Sequence, residues 1–342
     1  MNKKCFYIAY TGGTIGMKKT SRGYEPEKGF LKKLLLSSPE LHREEMPDFY
    51  FHEYDDIVDS ANITPDNWNI IAQNIYDNYD DYDGFLILHG TDTMSYTASA
   101  LSFMFENLTK PIIITGSQIP FSQIRSDGQQ NLLNSLYILQ HYPIPEVTLF
   151  FNNVLLRGNR STKAQADAFA AFMSPNFPVL LKAGIVITKN DRLMFTTSQL
   201  DNTTLPLKIH FLEPQAIGMI YIYPGIDIEI IQNILRQPIQ ALIILSYGVG
   251  NAPDRADMLA LLRNAIDNEI MIVNLTQCFQ GKVNMQGYAT GNALSDCGVL
   301  SGYDMTAEAA LSKLHYLLNL KLSFSERCTL FEKNLRGEVS VD

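Results

Sequence analysis

The sequence predicts an α/β protein in two domains, a larger N-terminal domain with a mostly parallel sheet and a smaller C-terminal domain with a second parallel sheet. A chain of 342 residues is too long for one ordinary core. Short β-branched or aromatic runs alternate with helical patterns, which is the signature of βαβ units. Polar clusters follow several predicted strands, at the carboxyl ends where open α/β sheets bind small molecules. Fold class and ligand position are therefore predicted together.

The N-terminal domain is predicted from residue 1 to residue 190. Thr64 and Pro65 begin one of its helices, because Thr is a good N-cap and Pro is favoured at the first helical position. Asn152 and Asn153 are expected to form the turn of a hairpin. The predicted strands are residues 5–10, 49–54, 84–89, 111–115, 146–151 and 154–156. The predicted helices are residues 29–36, 65–79, 94–106 and 126–141.

The best domain boundary lies where the alternation dissolves into Lys, Asp, Thr, Ser and Asn, from about residue 188 to residue 210. We therefore predict a linker at residues 191–211 and a flavodoxin-like C-terminal domain at residues 212–342. The strands predicted in that domain are residues 217–223, 239–245 and 270–274. Its predicted helices are residues 227–236, 253–266, 306–320 and 324–335.

The composition excludes several classes of function. The chain is 46% hydrophobic and 18% charged, which is ordinary for a globular protein and excludes disorder. Its net charge of −9 argues against a nucleic-acid partner, because phosphate binding needs clustered Lys and Arg. The longest apolar runs fall far short of the about 20 residues that span a bilayer. Neither a nucleic-acid nor a membrane partner is expected.

The cysteines and histidines argue against a secreted protein and against a metal site. The cysteines, at positions 5, 278, 297 and 328, have no CxxC spacing, and we expect reduced thiols in a cytoplasmic protein. The apolar run at residues 5–10 is too short for a secretory signal. The six histidines include no HxH or HExxH pair, so we expect neither a metal nor another cofactor. Only His89 lies beside a candidate motif, and a lone histidine at a strand end favours a structural role.

The segment TGGTIG, residues 11–16, follows the first predicted strand. Glycines allow positive φ and let a ligand or another backbone come close. Phosphate binding is one alternative, but the glycines do not fit GxGxxG, and no GxxxxGK[ST] is present. A merely tight connection is the other. By itself this segment leaves both alternatives open.

The segment HGTDTM, residues 89–94, places the Thr91 hydroxyl beside the Asp92 carboxylate at a strand end. Asp92 could instead be the N-cap of the following helix. A nucleophilic hydroxyl needs a base, and without a histidine pair the natural base is a neutral lysine. Lys163, in GNRSTKAQADAF, is the candidate. Taken alone, the residues favour Thr91 over Thr14 as the nucleophile.

Several motifs occur in order along nearly the whole chain, and together they resemble the bacterial-type L-asparaginases, most closely the cytoplasmic type I branch. They are TGGTIG, DS at 59–60, ILHGTDTM, ITGSQIP, RSDGQQNLLNSL, RGNRSTKAQADAFAAFMSPN and YGVGNAP. TGGTIG together with HGTDTM is the most specific pair. The resemblance implies hydrolysis of L-asparagine to L-aspartate and ammonia through a threonine-linked β-aspartyl ester, with weak action on L-glutamine as a further possibility.

The resemblance also implies a role for each matching residue and reverses the order of the two threonines. Thr14 becomes the nucleophile, assisted by Tyr24 on the segment that follows it. Thr91 and Asp92 form a Thr–Lys–Asp set with Lys163, in which Thr91 orients or activates water. The residues implied to bind the zwitterionic substrate are Asp59, Ser60, Thr91, Asp92, Ser117, Gln118 and Asn251. Backbone N–H groups near Thr91 and Ser117 are expected to stabilise the oxyanion.

Asn251 matches a residue that reaches the active site of a neighbouring subunit in related enzymes. The resemblance therefore implies a homotetramer built from two intimate dimers.

One departure from the family concerns an asparagine effector site that some type I enzymes carry, with an arginine where this chain has Leu245. Segments associated with that site contain Thr162, Asn274, Thr276 and Cys278. Since arginine is not readily replaced in gripping a carboxylate, we expect little sigmoidal response to asparagine.

Two other functions compete with hydrolysis. A cytosolic amino-acid sensor could use the same zwitterion pocket, although binding alone needs no activated hydroxyl. An asparaginase-like subunit of a transfer-RNA amidotransferase is the other. Those subunits usually carry an additional region before TGGTIG, whereas ten residues precede Thr11 here. We therefore expect a free-standing amidohydrolase.

Overall fold

The computed structural model describes residues 3–21, 23–195, 205–285 and 289–340. The chain divides into two compact units, Met1–Ser174 with Pro178–Phe211, and Pro175–Phe177 with Leu212–Asp342. Residues 196–204 of the predicted linker lie outside the described residues. The described remainder of that segment is assigned to the first unit and contains a short strand.

The first unit combines strands and helices in the predicted alternation. Its strands are β1 (Cys5–Tyr10), β2 (Met17–Thr20), β3 (Gly23–Pro26), β4 (Asp48–Glu53), β5 (Phe85–Leu88), β6 (Phe105–Glu106), β7 (Ile112–Thr115), β8 (Val147–Phe151), β9 (Val154–Arg157), β10 (Thr162–Lys163), β11 (Phe172–Met173), β12 (Leu181–Ala183), β13 (Ile187–Lys189) and β14 (Lys208–Ile209). Its α-helices are α1 (Phe30–Leu36), α2 (Pro65–Asp77), α3 (Met94–Met104) and α4 (Asp127–His141).

Eight strands of this unit form one sheet, in the order β13-β12-β9-β8-β7-β5-β1-β4. The strands β4, β1, β5, β7 and β8 are parallel to one another. Strands β9, β12 and β13 extend the sheet in antiparallel fashion. The central strands FLIL and IIIT are buried throughout, as expected for parallel strands covered on both faces. The large, mostly parallel sheet predicted for the N-terminal part is confirmed.

The register of the parallel strands places their ends side by side. Tyr10 pairs with Leu88, and Leu88 pairs with Thr115, so β1, β5 and β7 end at one level. The backbone continues this alignment, because Thr11 N–H donates to Leu88 O at 3.0 Å and His89 N–H donates to Thr115 O at 2.9 Å. The loops that carry TGGTIG, HGTDTM and TGSQIP therefore begin next to one another.

The predicted hairpin between β8 and β9 is confirmed. Asn152 and Asn153 have φ of 44° and 65°, the left-handed pair that a two-residue type I′ turn requires. The predicted helix at residues 94–106 was too long. It ends at Met104, and Phe105–Glu106 form a strand that pairs with Lys208–Ile209, about a hundred residues away in sequence. A long-range pairing of this kind overrides a local helical pattern.

The second unit contains a sheet of four parallel strands with helices. The strands, in the order β15-β16-β17-β18, are β15 (Ile217–Tyr221), β16 (Ala241–Ser246), β17 (Met271–Thr276) and β18 (Leu300–Ser301). The helices are α5 (Ile228–Ile234), α6 (Ala256–Asp267), α7 (Ala289–Asp296), α8 (Ala307–Leu318) and α9 (Phe324–Phe331). The smaller parallel-sheet domain is confirmed, whereas α7 and β18 were not predicted. No helix of the described chain is long and apolar enough to cross a membrane.

Candidate active site

Two glycines bring three of the predicted segments into direct contact at the carboxyl edge of the large sheet. A Cβ atom added to Gly13 would lie 2.4 Å from the Gly90 Cα, and one added to Gly90 would lie 2.4 Å from the Ser60 Oγ. Any side chain at either position would push the loops apart, and Gly13 also has a φ of 90°. In TGGTIG, Gly13 therefore serves the close approach of another backbone.

Lys163 joins the two polar residues of HGTDTM. Its Nζ donates to Thr91 Oγ1 at 2.9 Å and to Asp92 Oδ1 at 2.7 Å. The backbone of Lys163 is fixed by the pairing of β10 with β11, in which Lys163 lies opposite Phe172. The Lys163 side chain is 20% exposed, and the Asp92 side chain is 62% exposed. The Thr–Lys–Asp set is thus assembled, with one carboxylate open to solvent.

Asp92 is not the N-cap of α3, which was the structural alternative. Thr93 occupies the N-cap position, and its hydroxyl donates to Ser60 O at 2.7 Å. This bond ties HGTDTM to the segment that carries Asp59 and Ser60. Asp92 is consequently available for the contact with Lys163.

Asp59 and Ser60 form a short turn beside HGTDTM. The Asp59 carboxylate caps the 3₁₀ helix Ser60–Asn62 by accepting the Ala61 N–H at 3.1 Å. Asp59 is exposed, whereas Ser60 is buried. The pair therefore offers a negative charge at the surface next to a hydroxyl held inside.

The loop after β7 is fixed by a residue that sequence reasoning missed. Asp127, in the first turn of α4, accepts the backbone N–H of Gln118 at 3.0 and 3.1 Å and that of Ile119 at 3.0 Å. An acidic residue just after a Ser N-cap, as in Ser126-Asp127, was the available signal. The buried Ser117 hydroxyl has no hydrogen-bond partner among the described residues.

Thr14 and Tyr24 are less constrained than Thr91. Thr14 begins the 3₁₀ helix Thr14–Gly16 and is half-buried, and its hydroxyl makes no hydrogen bond within the described part of the chain. Tyr24 lies on β3, which pairs with β2 as an unpredicted hairpin and contacts the Thr14–Gly16 turn. The Tyr24 side chain is 45% exposed. The structure places Tyr24 on a strand neighbouring Thr14 without a bond between their side chains.

His89 is buried in a neutral hydrogen-bond network. The Trp68 indole N–H donates to Thr97 Oγ1 at 3.0 Å, so the Thr97 hydroxyl can donate to His89 Nε2 at 2.9 Å. His89 Nδ1 then donates to Gly90 O at 2.7 Å. Burial lowers the pKa of His89 from 6.5 to about 4. The arrangement supports a structural role, in which His89 holds the backbone under HGTDTM.

Asn251, Leu245 and Asn274, which the sequence also singled out, lie in the second unit. Asn251 closes a tight turn after β16, because its backbone N–H donates to Tyr247 O at 2.9 Å and its carbonyl accepts the Tyr247 N–H at 2.8 Å. Leu245 is buried. The buried Asn274 amide is used internally, accepting the Ser246 hydroxyl at 2.6 Å and donating to Gly250 O at 2.9 Å. The Asn274 side chain, which belongs to a segment associated with the effector site, therefore uses its hydrogen bonds within the protein.

The chain matches two family profiles. Residues 6–196 match "Asparaginase, N-terminal", and residues 216–331 match "Glutaminase/Asparaginase C-terminal domain". The chain is 57% identical over 342 residues to L-asparaginase 1 of Escherichia coli K12, with 100% of both chains covered. It is 39% identical to an L-asparaginase of Dirofilaria immitis, covering 98% of this chain and 60% of that protein. The crystal structure of L-asparaginase I from Vibrio cholerae superposes with a TM-score of 0.93 at 55% identity, covering 99% of this chain and 100% of the other.

Proposed function

The chain belongs to the asparaginase family and hydrolyses L-asparagine to L-aspartate and ammonia, and we propose that the reaction passes through an ester on Thr14. The observation that carries this proposal is the pair of hydrogen bonds from Lys163 Nζ to Thr91 and Asp92. Because the Thr91 hydroxyl is held in this way, it can orient a water molecule. The Thr14 hydroxyl, which has no such bond, is then the one that attacks the amide carbon.

In the proposed first step, the Thr14 oxygen bonds to the side-chain amide carbon, and the leaving nitrogen departs as ammonia. Tyr24, on the neighbouring strand, assists removal of the Thr14 proton, which passes to the leaving nitrogen as the carbon–nitrogen bond breaks. In the second step, a water oxygen bonds to the acyl carbon, the bond to Thr14 breaks, and a water proton returns to the Thr14 oxygen. Splitting the reaction in this way replaces one difficult step with two easier ones.

The proposed substrate contacts suit a zwitterion. The exposed carboxylates of Asp59 and Asp92 are assigned to the α-ammonium, and Ser60 is assigned to the α-carboxylate. Ser117 and Gln118 line the pocket beside Thr91. Backbone N–H groups near Thr91 and Ser117 are proposed to stabilise the oxyanion, a contribution typically worth about 10²–10³ in rate for each donor.

The test separates the two threonines. Thr14→Ala should abolish both ammonia release and acyl-enzyme formation, because the attacking oxygen is gone. Thr91→Val should lower kcat by on the order of 10³ and let an aspartyl adduct accumulate on the peptide that contains Thr14. The adduct is detected by mass spectrometry after an acid quench of purified protein mixed with asparagine.

The matched control is Thr188→Val, which makes the same change on exposed strand β13 and should leave kcat unchanged. An adduct on Thr91, or Thr14→Ala with near wild-type kcat, would overturn the assignment. A wild-type protein that binds asparagine but releases no ammonia over hours would instead favour the sensor function.

We propose L-asparagine as the main substrate and L-glutamine as a weak one. One methylene in a pocket changes binding by only about 1–3 kcal/mol, so complete exclusion of glutamine is not expected. Parallel measurements of kcat/KM on both amides decide the ratio.

We also propose a cytoplasmic protein, which the free thiols of Cys5, Cys278, Cys297 and Cys328 support.

We propose a homotetramer of two intimate dimers, in which Asn251 completes the active site of a partner. Light scattering should then give four times the mass of one chain. Mixing inactive Thr14→Ala subunits with Asn251→Ala subunits under exchange conditions should restore part of the activity, because some sites then receive both intact residues. No restoration between exchanging subunits would show that Asn251 serves its own chain's site.

A further inference from the structure

The side chain of Gln118 is fully engaged by the protein, which does not suit a residue that only lines a pocket. Its Nε2 donates to Ala166 O at 3.0 Å and to Ala168 O at 3.1 Å, so both amide hydrogens are used. Two carbonyl oxygens can only accept hydrogen bonds, which fixes the orientation of the amide. Its Oε1 must therefore face Thr91, whose hydroxyl lies 3.1 Å away.

This orientation determines what the Thr91 hydroxyl can do. A hydroxyl has one proton to donate and two lone pairs to accept with. Thr91 donates its proton to Gln118 and accepts from Lys163. One lone pair is left over, and Thr91 meets any further molecule as a hydrogen-bond acceptor.

We propose that Gln118 is a positioning residue that sets the direction of the Thr91 proton, so that Thr91 accepts a hydrogen bond from the attacking water. The inference rests on the proposed function. In the ester hydrolysis described above, a water that donates one proton to Thr91 keeps a lone pair for the acyl carbon. Without Gln118, the Thr91 proton is free to point at that water and to orient its lone pair away from the carbon.

The surrounding bonds make this position rigid. Asp127 holds the Gln118 backbone, and Gln118 in turn holds the loop that follows Lys163. That loop is closed by the Ala164 N–H, which donates to Ala171 O at 2.8 Å. Gln118 thus connects the three loops that carry Thr91, Lys163 and itself. A displacement of even about 1 Å at such a point can cost about 10² in rate.

The test is a double-mutant cycle on kcat for asparagine with Gln118→Met, Thr91→Val and the two combined. Gln118→Met should lower kcat by about 10- to 100-fold and change KM far less, because the water is affected more than the bound substrate. In the Thr91→Val background, the same change should cost less than about twofold, since Gln118 then has no proton to orient. Losses that multiply would overturn the proposal.

Gln129→Met is the matched control, because the Gln129 amide also donates to a backbone carbonyl, that of Phe121, in the same region. Gln129→Met should leave kcat unchanged, both in the wild-type background and in the Thr91→Val background. Should Gln118→Met fail to fold, Gln118→Glu replaces it. A protonated carboxyl can both accept from Thr91 and donate to one of the two carbonyls, whereas the ionised form cannot donate.

Both forms of the carboxyl accept the Thr91 proton, so Gln118→Glu should keep kcat within about tenfold of wild type. A folded Gln118→Glu variant that loses as much kcat as Thr91→Val would contradict the proposal. Wild-type ammonia release is measured first. Its absence would overturn the proposed function, and the positioning role with it, whereas an active wild type with multiplying losses overturns the positioning role alone.

Discussion

The two threonines of the proposed active site are held in opposite ways. Thr91 is buried and bonded on two sides, to Lys163 and to Gln118, and the backbone beneath it is held by His89. Thr14 is half-buried, its hydroxyl has no partner in the described chain, and Tyr24 stands exposed on a neighbouring hairpin. The Thr91 half of the proposed site is held by hydrogen bonds within the described chain, whereas the hydroxyl of the Thr14 half is not.

This difference matches the proposed division of labour. A residue that orients water for every turnover benefits from fixed geometry, because orientation is obtained before the reaction begins. A nucleophile needs a free hydroxyl that can reach the amide carbon. Changes on the Thr91 side should therefore act mainly through kcat, whereas changes on the Thr14 side should act through kcat/KM.

The largest effect is expected from breaking the assembled half at Lys163. Lys163→Met removes the donor to Thr91 and Asp92 and should lower kcat by about 10²–10⁴. Lys163→Arg should not rescue activity, because a planar guanidinium cannot replace a compact ammonium between two close acceptors. Steady-state ammonia release measures both. Lys182→Met, the same change at an exposed position on β12, should behave as wild type.

A smaller effect is expected in the open half. Tyr24→Phe removes one hydroxyl and should lower kcat/KM by about 10- to 100-fold, the usual range for losing a hydrogen bond to a developing charge. Its melting temperature should stay unchanged because the side chain is exposed. Tyr76→Phe, on exposed α2 surface, is the control. Equal loss in both variants, or none in either, would remove Tyr24 from the proposed mechanism.

The smallest effect on catalysis, but a measurable one on stability, is expected from His89 beneath the assembled half. Its pKa is about 4 in the folded chain and 6.5 without burial, so between these values the unfolded chain binds the extra proton. The stabilisation is present above about pH 6.5 and is lost as the pH falls toward 4, by on the order of 3 kcal/mol at most.

Urea unfolding measured at several pH values between about 7 and 4.5 tests this sign. The wild-type free energy of unfolding should decrease across that range, and His89→Gln should show a shallower decrease from a lower starting value. His42→Gln, at an exposed position, should retain the wild-type slope. A variant at position 89 with an unchanged slope would show that another group carries the dependence.

Much of the fold was predictable from local pattern. The strands FLIL and IIIT are continuous apolar runs, and the α2 boundary is encoded by the capping box that Thr64 forms with Asn67. The β2–β3 hairpin, β10–β13 and the pairing of β6 with β14 were missed. These strands are only two to four residues long, and their partners are set by tertiary contacts that no local period reveals.

The candidate site was predicted unevenly, for a physical reason. Local sequence placed Thr91 beside Asp92, but only the fold brings Lys163 to both. The hydrogen bonds from backbone N–H groups to Asp127 could not be predicted, because the sequence shows only an acidic residue at the start of a helix. The roles of Thr14 and Tyr24 came from family resemblance, because no spacing rule selects an unbonded hydroxyl as the nucleophile.

The contact between Gly13 and Gly90 also limits how this enzyme can be engineered. A side chain at position 13 would collide with Gly90, and one at position 90 would collide with Ser60, so we expect saturation libraries at these two positions to yield few folded variants. Diversity aimed at new amide substrates belongs instead in the β2–β3 hairpin, whose strand residues are exposed or half-buried and none of which is fully buried. The two glycines thus mark a part of the site that does not tolerate substitution, and the hairpin marks a part that does.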